Sequence, residues 1–184
     1  MPDDPLADAL HAARDGDRRA FATLWRGLHP PMLRYLRVIA ADHAEDAASE
    51  TWLQVIRDLG RFDGDLPAFR GWLFRIARNR ALDAVRRRPQ PPPAPTTSTA
   101  SSDAATVTLE NDGTAWALGL IAQLPIDQAE AVMLRVVVGL DVATTADILG
   151  KRPGAVRVAA MRGLRRLAAH PQVRDRAHPS RQGV

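Results

Sequence analysis

The sequence predicts an all-α protein, made of two small helical domains on either side of a flexible connector. Three observations carry this. Apolar residues recur at spacings of three and four through residues 5–88 and again through 113–169. No stretch alternates with period two for long enough to make a strand. Between the two halves lies Pro89–Asp112, PQPPPAPTTSTASSDAATVTLEND, rich in Pro, Ser, Thr and Ala and almost without large apolar residues. Such a segment cannot bury enough surface to fold. The expected division is therefore a domain over 1–88, a linker over 89–112, a domain over 113–170 and a disordered tail over 171–184.

The first domain opens with Leu6, Ala9, Leu10 and Ala13 at helical spacing, then a turn at Asp15-Gly16-Asp17. Ala20, Phe21, Leu24, Trp25 and Leu28 resume the period, and His29-Pro30-Pro31 predicts a break. Met32, Leu33, Leu36 and Ile39 or Ala40 make a second short helix. Asp42 stands as an N-cap with Glu45 three residues on, as in a capping box. The helix that follows, about His43 to Leu59, points Ala47, Trp52, Val55, Ile56 and Leu59 at a core. Gly60 and Asp63-Gly64-Asp65 end it.

The last helix of this domain begins near Pro67 and contains FRGWLFRIARNRALDAVRRR, residues 69–88. Phe69, Trp72, Leu73, Ile76, Ala77 and Ala84 form one stripe, while Arg75, Arg78, Asn79, Leu82 and Arg86 lie roughly opposite. The stretch holds seven Arg against the single acid Asp83, and Pro89 stops it. A helix with an aromatic-apolar back and an Arg/Asn front suits a nucleic-acid backbone; a solvated basic face is the alternative.

In the second domain a helix over Gly113–Gln123 carries Trp116, Leu120 and Ile121, and Leu124-Pro125 breaks it. Asp127–Val138 follows, with Ala129, Val132, Met133 and Val136 in phase. Gly139-Leu140 turns the chain. Asp141 caps a short helix to Leu149, and Gly150 ends it at C′. Pro153 suits the first position of a final helix to about Ala169, with Val156, Ala160, Leu164 and Leu167 as its apolar stripe.

Charge is distributed unevenly. Residues 1–88 hold 15 Arg and 13 acids, the connector three acids and no base, and residues 113–184 ten Arg or Lys and five acids. Two basic modules thus flank an acidic connector. Cysteine is absent, which excludes disulfides and thiolate metal sites. No apolar run reaches the length of a membrane span, and MPDDPLADAL is not a signal peptide, so a cytoplasmic location is expected. The linker, 24 residues long, extends to about 80 Å. That is just over twenty base pairs at about 3.4 Å each, so it can tether two domains to separate sites on one duplex.

Asp141–Arg166 has the anatomy of a helix-turn-helix, whose second helix enters the major groove. Lys151, Arg152 and Arg157 stand where phosphate or base-edge contacts occur, with Arg162, Arg165 and Arg166 behind them; a plain helical hairpin with a charged face is the alternative. His43, Asp46 and Glu50 share a helix face, but one helix offers too few ligands for a metal. An acidic patch at Glu45, Asp46 and Glu50 would repel phosphate and so suggests a protein partner. No phosphate loop, nucleophile elbow or triad spacing occurs, and the five His sit near helix ends or in turns. No catalytic residue, metal, cofactor or enzymatic activity is expected.

The order of parts resembles the extracytoplasmic-function (ECF) sigma factors, the smallest class of the sigma-seventy family. The resemblance rests on AEDAASETWLQVIRDLGRF, FRGWLFRIARNRALDAVRRRP, the Pro/Ser/Thr linker and LPIDQAEAVMLRVVVGLDVATTADILGKRPGAVRVAAMRGLRRL. It implies that residues 5–88 form a region-two helical bundle, which docks on the β′ clamp helices of core RNA polymerase and opens the −10 element. Residues 113–169 would form the region-four helix-turn-helix, which binds the −35 element and the β flap.

On the matching positions, Glu45, Asp46, Glu50, Trp52 and Gln54 would contact core polymerase. Asn79 would lie by the pocket for a flipped-out base, whose extrusion costs a few kcal/mol of stacking. Trp72, Arg75, Arg78, Arg80, Arg86, Arg87 and Arg88 would hold the −10 region and its single strand. Lys151, Arg152, Ala155, Arg157, Val158 and Arg162 would face the −35 element. An anti-sigma factor is the regulatory partner that the resemblance implies.

The chain departs from the family at several positions. Ser49 stands where Gln usually precedes the Glu of the DxxQE segment, and Arg152 stands where a Ser cap is usual. Thr145 replaces an apolar residue, and Ala155, Val158 and Ala159 replace polar ones on the recognition helix. Either −35 readout leans on apolar contacts to thymine methyls or this domain binds DNA weakly. Two other readings remain open at this point: a helix-turn-helix regulator that does not contact polymerase, and an interaction protein with no DNA binding.

Overall fold

The computed structural model describes residues 5–87 and 112–177. These fold into α1 (Pro5–Arg14), α2 (Arg18–Ala40), α3 (Ala44–Asp58), α4 (Leu66–Arg86), α5 (Asp112–Ala122), α6 (Ile126–Val132), α7 (Val142–Leu149), α8 (Pro153–Ala169) and α9 (Pro171–Ala177). No strand occurs among the described residues. The connector falls outside them except for Asp112, which is the first residue of α5.

In the first domain α2 is the axis on which α1, α3 and α4 pack. Leu10, Leu24, Leu28, Met32, Leu36, Val55, Phe69, Leu73 and Phe74 are fully buried there. Each large apolar side chain removed from water contributes about 1.5–3 kcal/mol. Asp17 starts α2 by accepting from the N–H groups of Arg19 and Ala20 at 2.7 and 3.2 Å. Asp65 starts α4 by accepting from Ala68 N–H at 2.9 Å, and Pro67 sits in the first turn, where no N–H is needed.

Several sequence expectations are corrected. The break at His29-Pro30-Pro31 does not occur: α2 runs through both prolines. Two backbone bonds are forgone, but Leu28, Met32, Leu33, Tyr35 and Leu36 stay buried on one continuous helix, and packing outweighs propensity. Asp42 is not the cap of α3. A 3-10 turn, Ala41–His43, feeds the helix directly, and Ala44 N–H donates to the Ala41 carbonyl. Ile56 is 58% exposed rather than in the core.

The second domain wraps α5, α6 and α7 around α8. Helix α6 passes into a π-turn, Met133–Val137, instead of running on regularly to Val138. On α8 the buried residues are Val156, Ala159 and Gly163, so the stripe lies beside the expected one and Leu164 is 44% exposed. Gly163 is required by the packing: a Cβ there would stand 2.7 Å from Val132 Cγ2. The tail is helical to Ala177 as α9, and Arg176 lies over the Trp116 ring at 4.7 Å.

The two domains are packed together. Helix α2 meets α5 and α6, and α4 meets α7. This second partner explains why α4 buries Gly71, which lies against Thr144 of α7, in addition to the predicted stripe; Phe74 is buried within the first domain, edge-on to Tyr35.

Candidate nucleic-acid and polymerase interface

Helix α4 supplies the basic face. Arg75 and Asn79, four residues apart and one turn from each other, are exposed and carry no ion pair or side-chain hydrogen bond among the described residues. Trp72 is half-buried and stacks on Phe62 with centroids 5.1 Å apart, which fixes the root of this face. Arg86 is exposed. Arg88 lies outside the described residues.

The remaining arginines of α4 are engaged. Arg80 Nη2 donates to Gln54 Oε1 at 2.7 Å, and Arg80 and Arg87 approach Glu50 at 3.7 and 3.8 Å. The structure thus pairs residues that the sequence assigns to different partners. Arg78 turns to the second domain, where its Nε donates to Glu130 Oε1 at 2.6 Å. Burial works against the charged guanidinium, but the bonds to Glu130 outweigh it and hold its pKa above the ordinary value.

Helix α3 presents a mixed face. Glu45 pairs with Arg37 at 3.1 Å, and Asp46 is exposed. Trp52 is not a surface contact in this structure. It is 5% exposed, packs edge-on against Phe21, and its Nε1 donates to His29 Nδ1. Helical phase turns it inward beside Val55. The residues that sequence reasoning missed are Leu53, 61% exposed, and Ile56. Their signal was two apolar side chains three apart beside the polar residues Ser49, Glu50 and Arg57.

The helix-turn-helix forms from local rules. Asp141 accepts from Thr144 N–H at 2.9 Å and from the Thr144 hydroxyl, bonds that hold its carboxyl below the usual range. Gly150 takes φ +63°, a left-handed C′ that only Gly adopts without strain. Buried Thr145 is satisfied by donating to the Asp141 carbonyl at 2.8 Å. Pro153 begins α8. Arg152, Ala155, Arg157, Val158 and Arg162 are exposed along it, and Lys151 is half-buried in the turn. An open groove of about 510 Å³ runs beside α8, lined by the apolar Val136, Met161 and Leu164 and by Arg135, Arg157 and Arg165.

Glu130 is the other residue sequence reasoning missed. It is 4% exposed on α6, and the side chains that bond it, Arg78 and Tyr35, belong to the first domain. The only sequence signal was an acid amid the apolar run AEAVMLRVV.

Comparison with known proteins fits this architecture. Residues 20–89 match the family described as Sigma-70 region 2, and residues 115–167 that described as Sigma-70, region 4. The ECF RNA polymerase sigma factor ShbA of Streptomyces griseus is 35% identical over 176 residues, covering 87% of this chain and 92% of that protein. The ECF RNA polymerase sigma factor SigD of Mycobacterium tuberculosis is 34% identical over 178 residues, covering 91% and 84%. Among solved structures, the sigma factor RpoE in complex with the anti-sigma factor NepR from Bartonella quintana shares the fold with a TM-score of 0.61 at 20% identity, covering 81% of this chain and 94% of that one. The two domains, their order and these relatives together place the chain in the ECF RNA polymerase sigma factors.

Proposed function

We propose that the two domains of this sigma factor divide promoter recognition between them. The first docks on core RNA polymerase through α3 and opens the −10 element along α4; the second sets α8 against the −35 element. The observation that carries the reading is the pair Arg75 and Asn79, exposed side by side and unengaged on a helix whose other side is packed. Asn79 offers both a donor and an acceptor to an unstacked base, and Arg75 a fork for the adjoining phosphate. Arg86, Arg87 and Arg88 continue the phosphate track.

Core binding is assigned to Glu45, Asp46, Glu50 and Gln54 with Leu53 and Ile56 among them: apolar anchors inside a charged surround, as at other protein interfaces. On α8, Lys151, Arg152, Arg157 and Arg162 meet phosphate and base edges while Ala155 and Val158 meet thymine methyls. The groove beside α8 takes an apolar helix with acidic flanks, the chemistry assigned here to the β flap. Melting proceeds by capture of unpaired bases, without covalent chemistry, catalytic residues or a cofactor. No described helix is long and apolar enough to cross a membrane. The site of action is the cytoplasm with RNA polymerase, and an anti-sigma factor is the expected antagonist.

The test is reconstitution of the full chain with bacterial core RNA polymerase. Stoichiometric binding followed by open-complex formation on a melted −10 template is expected. Tight duplex binding by the free protein, with no affinity for core, would instead identify an operator-binding regulator.

A further inference from the structure

Three contacts join the domains along α4. Arg70 Nη2 donates to the Val138 carbonyl at 2.7 Å. Gly71 faces Thr144 so closely that a Cβ at 71 would stand 2.8 Å from its methyl. Arg78 makes a two-pronged bond to Glu130, Nε to Oε1 at 2.6 Å and Nη2 to Oε2 at 3.3 Å. The hydroxyl of Tyr35, itself fully buried against Phe74, donates to the same Oε1 at 3.2 Å. The Arg78 and Glu130 side chains are 19% and 6% exposed. A buried acid is tolerated only with its partners in place. Here both partners belong to the other domain, so Glu130 is suited to the closed arrangement and not to its own domain alone.

We propose that Tyr35, Arg78 and Glu130 form a latch that holds the second domain against α4 and withholds Arg78 from promoter DNA until the domains separate. The inference rests on the promoter reading of α4. A guanidinium fork binds carboxylate and phosphate with the same N–H groups, so Arg78 cannot hold Glu130 and a backbone phosphate at once. Two domains that meet separate promoter elements also cannot stay packed on each other. Opening returns Glu130 to water and frees Arg78 for the strand, so DNA and the latch compete for one side chain. The free protein then carries its own restraint, without a second protein.

The native chain has no cysteine, which permits a direct trap. In the full chain, Gly71→Cys with Thr144→Cys is expected to form a disulfide under mild oxidation, because a Cβ at position 71 stands beside the side chain of residue 144. With core polymerase and promoter, the oxidised form should lose open-complex formation at least tenfold and regain it on reduction. Small-angle scattering of the free protein gives a second readout that does not depend on activity. Glu130→Arg should raise the radius of gyration, and Arg78→Glu combined with Glu130→Arg should restore the compact value. Rescue by swapped charges would not follow from a merely structural role. Glu130→Ala should reach half-maximal open complex at about tenfold lower protein concentration, because the competent fraction rises.

Oxidised protein that initiates as well as reduced protein would overturn the latch, as would failure of the disulfide to form or a radius indifferent to Glu130→Arg in a variant that keeps its helical circular dichroism. If Glu130→Arg does not fold, Glu130→Gln serves, and unchanged compactness together with unchanged promoter response would sink the idea. A reduced double-cysteine protein and a native protein that both fail to bind core would instead count against the sigma reading, with the scattering series still judging the latch.

Discussion

The indole N–H of Trp52 donates to Nδ1 of His29 at 3.1 Å, tying the middle of α3 to the middle of α2. Phe21 packs edge-on against the same indole, and Trp25 stacks on the imidazole at 4.6 Å. The bond requires Nδ1 to be unprotonated, so this contact between helices has a protonation state built into it.

Burial lowers the pKa of His29 from its ordinary 6.5. The folded state therefore binds fewer protons than the unfolded chain as pH falls through about 6.5, and stability declines from there down to the folded pKa. Urea unfolding at pH 7.5 and 5.5 checks this. The native protein should lose more stability on acidification than His29→Gln, whose amide oxygen accepts the Trp52 bond without titrating. Equal losses would remove His29 from the account.

Ala41 holds φ +44° and ψ −111°, a conformation natural to glycine and strained for alanine. It ends α2 and opens the 3-10 turn that leads into α3. Ala41→Gly should stabilise the first domain by about 1 kcal/mol, relieving that strain against a smaller entropic cost. A rise in the thermal midpoint is expected, and a fall would mean that another turn is preferred in solution.

Asn79→Ala should cut open-complex formation while leaving core affinity intact, because Asn79 is exposed and supports no packing. Stopped-flow fluorescence of promoter melting and a core-binding titration separate the two. Parallel loss of both would dismiss the base-pocket role.

The helix-turn-helix was legible because its signals are local. Asp141, Gly150 and Pro153 each fix a cap or a start within four residues, and each does so in the structure. The failures have a common cause in tertiary contacts. Pro30-Pro31 read as a break because the core that carries α2 through them comes from three other helices. Ile56 and Leu164 were read inward because an apolar residue near the right phase looks like core when the neighbouring surface is unknown. Glu130 was missed because its meaning depends on Arg78, 52 residues away across the connector. Within the candidate site, the exposed pair Arg75 and Asn79 was legible from helical phase; the engagement of Arg78, Arg80 and Arg87 was not.

Leu53 offers a test of the polymerase-facing surface that avoids the ion pairs. Glu50 is a poor probe by itself: Glu50→Arg is expected to weaken core binding, but it also repels Arg80 and Arg87, which approach it at 3.7 and 3.8 Å. Leu53 is 61% exposed and supports no core packing. Leu53→Asp should therefore leave stability within about 0.5 kcal/mol of the native value. At a docked interface the same carboxylate is desolvated against an apolar partner, and truncating or charging a central anchor costs about 2 kcal/mol or more. Core affinity should fall about thirtyfold or more, as read by competition with the native protein for labelled core polymerase. Duplex DNA binding by the second domain should be unchanged. Native core affinity in Leu53→Asp would move the docking surface off this face of α3, leaving Leu53 and Ile56 as ordinary exposed apolar residues.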